Sequence, residues 1–158
     1  MTYPVGTLKK VAVVDALADA LREIRADNGY HHSVKQVHIY RDEALVLGAA
    51  MPAIIVVPET SDRWEQYISC AAVQHKIGFA LVLSIRVVPG SPTWRTDLEW
   101  LVADVVRVIE LDIQLGGTCV YAEIESTDVY DVAVGGDIAQ AQVVVAVEYR
   151  HALADPTT

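Results

Sequence analysis

Residues 76–88 read KIGFALVLSIRVV, and this stretch decides the fold. Every second residue is apolar and mostly large, which is the period of a β-strand with one buried face. Pro89-Gly90 then ends the pattern. The apolar face is Ile77, Phe79, Leu81, Leu83, Ile85 and Val87, opposite Gly78, Ala80, Ser84 and Arg86. We therefore predict that the longest strand of the protein runs from about Lys76 to Val88.

An amphipathic helix is predicted on either side of this strand in the sequence. The first runs from Leu8 to Asp27, with Thr7 as its N-cap and Asn28-Gly29 as its closing turn. The second runs from Pro92 to about Leu111, with Ser91 as its N-cap. The apolar stripes are Val14, Leu17, Leu21 and Ile24 in the first helix, and Trp94, Leu98, Leu101, Val102, Val105 and Ile109 in the second. Trp100 lies off its stripe, which favours a second packing contact, within the chain or with another molecule.

Shorter strands complete the pattern. They are Val34 to Arg41, the apolar run Ile54 to Val57, a short strand and hairpin within Asp62 to Gln74, an alternating segment Val120 to Glu125, and a last strand from Ala139 to Arg150. Asp42 to Met51 and Thr127 to Asp137 are predicted loops. This order predicts an α+β fold, with a mainly antiparallel or mixed β-sheet and two amphipathic helices packed on one face. Regular βαβ alternation is missing, which argues against a doubly wound nucleotide-binding fold.

Length and charge narrow the class of protein. The 158 residues predict a single domain, with an ordered core over about 8–151 and a flexible C-terminal tail. Lys and Arg number 12 and Asp and Glu 21, and the resulting net charge of −9 argues against a nucleic-acid or anionic-membrane binder that neutralises phosphate with a basic face. Apolar residues make up 53%, more than a small soluble monomer needs, which favours self-association. A core rich in Ala and Val is the alternative explanation.

Cysteines and apolar runs carry little further signal. Cys70 and Cys119 lack CxxC spacing, so both are predicted to be small buried thiols. The start of the chain has no signal-peptide pattern, and the apolar run from Ala44 to Pro58 is interrupted and too short to span a bilayer. We expect a protein that is made in a cytoplasm and does not enter the membrane.

The polar residues show no catalytic constellation. The five histidines (His31, His32, His38, His75 and His151) lack the companions of a metal site and are predicted to be surface or satisfied side chains. The carboxylates are expected on solvated faces: Asp15, Asp19 and Glu23 on the first helix, Asp97, Glu99 and Asp104 on the second, and Glu123 and Glu125 on a strand. No GxSxG or phosphate loop occurs in the sequence. These observations predict an acidic, self-associating domain that is not an enzyme and holds no cofactor or metal.

A series of weak motifs in a fixed order points to a family. The series begins with the first helix and Asn28-Gly29-Tyr30, followed by Pro52-Ala53-Ile54 and the long strand with its Ser91-Pro92 helix start. The sequence LEWLVADV at 98–105, Leu115-Gly116-Gly117 and a last strand ending in Tyr149-Arg150-His151 complete it. From about Leu8 to Pro156 the chain resembles the tail terminator (tail completion) proteins of long-tailed bacteriophages, including the lambda-like minor tail protein and relatives in gene transfer agents.

The resemblance implies a structural role in the virion. Such proteins form a hexameric ring on the last ring of the tail tube, stop its polymerisation, and offer their other face to the neck proteins of the head. The implied partners are copies of the chain itself, the major tail protein and a head-tail connector protein, with DNA passing through the lumen unbound. The implied location is the head-proximal end of the tail, assembled in the host bacterial cytoplasm. The family carries no catalytic residues and no cofactor.

The predicted subunit or partner contacts are exposed apolar residues and aromatic residues. The candidates are Leu45, Val46, Leu47, Met51, Trp64 and Trp100. If the 45–47 loop makes the contact, Leu47→Asp should give monomers on size-exclusion chromatography. The acidic charge also motivates the hypothesis of an acidic lumen that repels phosphate, which a basic or neutral lumen would refute.

Two other classes remain open at this stage. One is another neck, connector or tail tube protein of the same lineage, since a tube protein would polymerise where a terminator stops at one ring. The other is a small α+β binding module or enzyme, which a deep pocket with perturbed titratable groups would favour.

Overall fold

The computed structural model describes residues 8–39, 50–69, 71–130, 136–153 and 155. Over these residues the chain forms two α-helices and six β-strands. They are α1 (Lys9–Arg22), β1 (Gln36–Ile39), β2 (Ala53–Pro58), β3 (Trp64–Ser69), β4 (Ala72–Arg86), α2 (Trp94–Leu111), β5 (Tyr121–Val129) and β6 (Ile138–Ala152). The predicted loop from Asp42 to Met51 lies outside the described residues except for its last two positions, 50 and 51.

The strands form one mixed sheet around a long central pair. The order is β1-β2-β4-β6-β5, and β3 pairs with β4 off this path. β4 and β6 are antiparallel over their full length, from Ala72↔Ala152 to Arg86↔Ile138. β2 and β3 therefore share the other edge of β4, one after the other, and β1 is parallel to β2. The predicted α+β fold with a mainly antiparallel or mixed sheet is confirmed.

Both helices pack on the same face of the sheet and enclose one core. The alternation predicted for residues 77–87 is confirmed, because all six apolar side chains of that face are buried. The corresponding residues of β6 are buried beside them: Ala139, Ala141, Val143, Val145, Val147 and Tyr149. From the helices, Leu17, Leu21, Leu98 and Leu101 are fully buried against this layer.

The opposite face of the sheet is covered by neither helix. At its centre are small apolar side chains that are only half-buried, such as Ala80, Val82 and Val144. A shallow groove of about 430 Å³ runs along it and is lined by Val57, Gln142 and neighbouring side chains. This helix-free face is an apolar surface with polar margins, of the kind that marks contacts between proteins.

Both predicted helix boundaries need correction at their starts, and the first also at its end. The N-cap of α1 is Leu8, and the predicted Thr7 lies outside the described residues; the N-cap of α2 is Thr93, not Ser91. Ser91 Oγ instead accepts a hydrogen bond from the amide of Thr93 in the turn before the helix, at 3.4 Å. α1 ends at Arg22 because Arg25 is extended, and Gly29 closes a separate 3-10 turn over Ala26–Asn28 with φ of 83°.

The strand predicted to end near Glu125 continues to Val129, so the loop predicted from Thr127 begins too early. Thr127 pairs with Val143, and Val129 pairs with Ala141. A register shift between Ile124 and Ser126 interrupts the alternation of the side chains. Because the bulge breaks the alternation of apolar and polar residues, the part of the strand after it does not show the period of two on which the prediction relied. In contrast, β1 is shorter than the predicted Val34 to Arg41.

Candidate interaction surfaces

An exposed aromatic surface lies where the segment after α1 meets α2. Trp100 is 49% exposed, and the ring of His31 stacks on it with 4.8 Å between ring centroids and 15° between planes. Arg107 lies over the ring of Tyr30 at 5.2 Å and donates to the carbonyl of Gly29 at 2.7 Å. We call Tyr30, His31, Trp100 and Arg107 the Trp100 platform. It borders a concavity of about 350 Å³.

A buried carboxylate holds this platform in place. Asp104 is 5% exposed and accepts hydrogen bonds from the amides of His31, at 3.0 Å, and His32, at 2.8 Å. The Nδ1 atom of His32 lies 3.3 Å from the same carboxylate. The prediction that Asp104 lies on a solvated face is therefore wrong. Two amides that follow the Gly29 turn lie part-buried, and a carboxylate on α2 accepts from both.

A second exposed apolar surface lies on β3. Tyr67 is 67% exposed, Ile68 is 40% exposed, and Trp64 is half-buried. Trp64 pairs with Lys76 in the sheet, so it lies on the helix-free face, whereas Tyr67 pairs with Val73 on the core side. We call the exposed residues Tyr67 and Ile68 the β3 surface.

The predicted contact residues divide between these places. Leu45, Val46 and Leu47 lie outside the described residues. Met51 is half-buried and borders a concavity with His32 and Asp97. Because His31 and His32 are in edge-to-face contact, at 4.9 Å, Met51 lies near the Trp100 platform. Trp64 is on β3 but lies on the helix-free face of the sheet, apart from the β3 surface.

Ion pairs bridge strands on the helix-free face. Lys76 Nζ lies 2.7 Å from Glu123, and Arg63 joins Glu59, at 2.9 Å, to Glu125. The hydrogen bond from Lys76 lowers the pKa of Glu123, and that from Arg63 lowers the pKa of Glu59. A carboxyl group that acts as a general acid needs a raised pKa. The pKa values of Glu59 and Glu123 are lowered, which disfavours that role. As predicted, Glu125 is exposed and Glu123 is partly exposed, and each also has its own cation.

A chain of polar side chains lies on the core side of the sheet, beside the start of α1. His75 is buried; its Nε2 is 2.8 Å from Nε2 of His151, and its Nδ1 is 2.6 Å from Oδ2 of Asp62. His151 Nδ1 lies 2.8 Å from the carbonyl of Ala152, and Lys10 Nζ lies 3.2 Å from Asp62. Sequence reasoning treated these histidines singly and missed their contact. The signal was present, since His75 and His151 continue the buried alternation of Ile77 and Tyr149.

The cysteines and the acidic and histidine side chains were also considered as reactive or metal-binding groups. Burial raises the pKa of the Cys119 thiol to about 11, which disfavours the reactive thiolate and fits the predicted buried cysteine. Cys70 lies outside the described residues. In the described part of the chain, no group of three or more His, Cys, Asp or Glu side chains is placed to hold a metal ion. Over those same residues, neither helix is both long and apolar enough to cross a bilayer.

No protein-family model and no curated protein matches this chain.

Proposed function

We propose that this chain is a structural protein of a long-tailed bacteriophage that closes the tail tube as a hexameric ring. In this role it stops tube polymerisation and presents a surface to a neck protein of the head. The proposal rests on the motif order described above and on the surfaces that the fold leaves exposed. The acidic net charge of −9 supports a lumen through which DNA slides without binding.

The observation that carries the proposal is the position of the Trp100 platform and the β3 surface at opposite ends of α1. Lys10, in the first turn of α1, contacts Asp62, two residues before β3. Tyr30 and His31 follow the other end of the helix, after Gly29. The 14 residues of α1 span about 21 Å. A closed ring needs two different surfaces on each subunit, so that one copy can dock head-to-tail on the next.

Charge reversal on each surface tests the ring. We expect the unaltered chain to give six-fold rings in electron microscopy and native mass spectrometry. Trp100→Glu and Tyr67→Glu should each give folded monomers, since both side chains are exposed. Leu111→Glu is the matched control, because Leu111 is 69% exposed on the same helix, about 16 Å further along. It should still form rings.

Mixing the two variants tests the head-to-tail arrangement. Each variant keeps the surface that the other has lost, so an equimolar mixture should form dimers of one Trp100→Glu and one Tyr67→Glu chain. Neither variant should dimerise alone. If each surface instead joins its own kind, each variant dimerises alone through the surface it keeps, and the arrangement proposed here is wrong.

The capping role needs a separate assay with the major tail protein. Adding the chain during tube polymerisation should shorten the tubes in proportion to its concentration, and Trp100→Glu should have no effect. Open-ended tubes formed by the chain alone would instead identify a tube protein. Tubes of unchanged length would contradict the capping role.

A further inference from the structure

The contacts of His75 and His151 indicate how many hydrogens their two imidazole rings carry. The carbonyl of Ala152 can only accept, so Nδ1 of His151 carries a hydrogen. The two Nε2 atoms are 2.8 Å apart, a contact that needs one hydrogen between them. When His151 is neutral, its Nε2 is the acceptor, and Nε2 of His75 must donate.

The remaining question is whether Nδ1 of His75 also carries a hydrogen. Nδ1 of His75 lies 2.6 Å from Oδ2 of Asp62 but makes no well-aligned hydrogen bond to it. Without a hydrogen on Nδ1, a partly negative nitrogen would lie against a carboxylate oxygen at this distance, which is repulsive in any orientation. With one, His75 is a cation beside a carboxylate, and the attraction of an ion pair does not depend on alignment. The contacts thus favour three hydrogens on two rings, which is one net positive charge.

The surroundings favour this single charge. Besides Asp62, the Glu65 carboxylate of β3 lies 3.8 Å from Nδ1 of His75. Lys10 of α1 contacts the other oxygen of Asp62 and is the competing cation. Tyr149 of β6 stacks on His75, with ring centroids 5.1 Å apart, and burial raises the pKa of its hydroxyl, so it stays neutral. The carboxylates therefore support one added proton on the histidine pair.

We propose that His75 and His151 share one ionising proton, with Asp62 as its counter-ion, and that this state fastens the connection between β2 and β3 to the sheet. A fourth hydrogen would point two N–H groups at each other and break the contact between the rings. Loss of the third would set a bare nitrogen against Asp62. The fastening is therefore strongest at intermediate pH and weakens on either side.

The difference in bound protons between the folded and unfolded chain predicts the same pH dependence for the stability of the fold. In acid the unfolded chain carries four ring hydrogens against three in the fold, so stability rises with pH. In base the unfolded chain carries two against three, so stability falls with pH. The result is a maximum, whereas a lone histidine would give a change in one direction only.

Imidazole ¹⁵N NMR of the full chain, recorded across pH, reads the hydrogens directly. At intermediate pH, both nitrogens of His75 and Nδ1 of His151 should report as protonated, and Nε2 of His151 as bare. Assignments come from His75→Gln and His151→Gln, and the exposed His38, whose Nε2 lies 2.9 Å from the uncharged side chain of Gln36, is the reference for a ring on the surface. A neutral His75 at every pH where the chain is folded would overturn the proposal.

Amide exchange measures the fastening. The amides of Glu59 and Arg63 flank Asp62 and donate to β4, to Gly78 at 2.9 Å and to Lys76 at 2.7 Å. Corrected for intrinsic rates, their exchange should pass through a minimum and rise about tenfold or more on either side, as for the loss of a charged contact.

Two variants should each change one side of this profile. In His151→Gln no second ring can be protonated, so the rise in acid is delayed until the carboxylates of Asp62 and Glu59 gain protons, and the rise in base remains. In Asp62→Asn a neutral Nδ1 can accept from the amide, so the rise in base disappears and the rise in acid remains. A flat or one-directional profile in the unaltered chain would overturn the proposal. If a variant does not fold, the NMR pattern of the unaltered chain still decides.

Discussion

The two ends of α1 each place a carboxylate against a histidine segment, but the donors differ. At the Trp100 platform, Asp104 accepts from two backbone amides, whose hydrogens do not titrate. At the other end, Asp62 faces the side chains of Lys10 and His75. Asp104 is nearly buried, whereas the side chain of Asp62 is 22% exposed. The first arrangement holds a rigid aromatic surface, and the second holds the β3 connection in a way that depends on protonation.

The largest effect is expected at Asp104. Asp104→Ala leaves the amides of His31 and His32 without an acceptor and should lower the free energy of unfolding by about 3 kcal/mol. Urea unfolding measures it. The control Glu99→Ala removes an exposed carboxylate from the same helix and should change stability by less than about 0.5 kcal/mol. If both variants lose the same free energy of unfolding, the two hydrogen bonds accepted by Asp104 do not stabilise the fold as argued.

A smaller effect is expected at Asp62, because this carboxylate is partly solvated and its partners are side chains. Asp62→Ala should cost about 1–2 kcal/mol at neutral pH, since it leaves His75 without its counter-ion. Lys10→Met isolates the exposed half of the contact and should cost less than about 1 kcal/mol. If Asp62→Ala costs as much as Asp104→Ala, the two ends are equally rigid.

The smallest effect is expected on the helix-free face. Glu123→Gln should cost about 0.5 kcal/mol at neutral pH, because its pair with Lys76 is part-exposed. The pKa of Glu123 is lowered in the fold below its ordinary value of 4.5. Its contribution is therefore present above that value and lost as the pH falls through the lowered pKa. Unfolding curves of the variant and the unaltered chain should converge in acid, and a gap that persists there would contradict this assignment.

Much of the fold was predictable because burial on one face imposes a period on the sequence. The alternation in β4 and β6 and the stripes of both helices were assigned correctly. The errors lie where local hydrogen bonding competes with the period. The bulge near Glu125 shifted the register of β5, and extended backbone at Arg25 ended α1 before its apolar stripe did.

The candidate surfaces were predictable only in part. Trp100 lies off its stripe, so its exposure could be read from the helical period. Its contact with His31 could not, because 69 residues separate them and no period relates a loop to a distant helix. The same holds for Asp104, whose sequence position resembles that of any charged residue on α2.

By itself the sequence determined which residues are apolar, with what period, and how much negative charge the chain carries, since these depend only on residue order. That was sufficient for two helices, a long central strand pair and a common core. Only the tertiary structure decided that Asp104 is buried beneath a histidine segment and that His75 meets His151 and Asp62. Hydrogen bonds and ion pairs act over about 3 Å, so these contacts exist only once the sheet has brought distant residues into register.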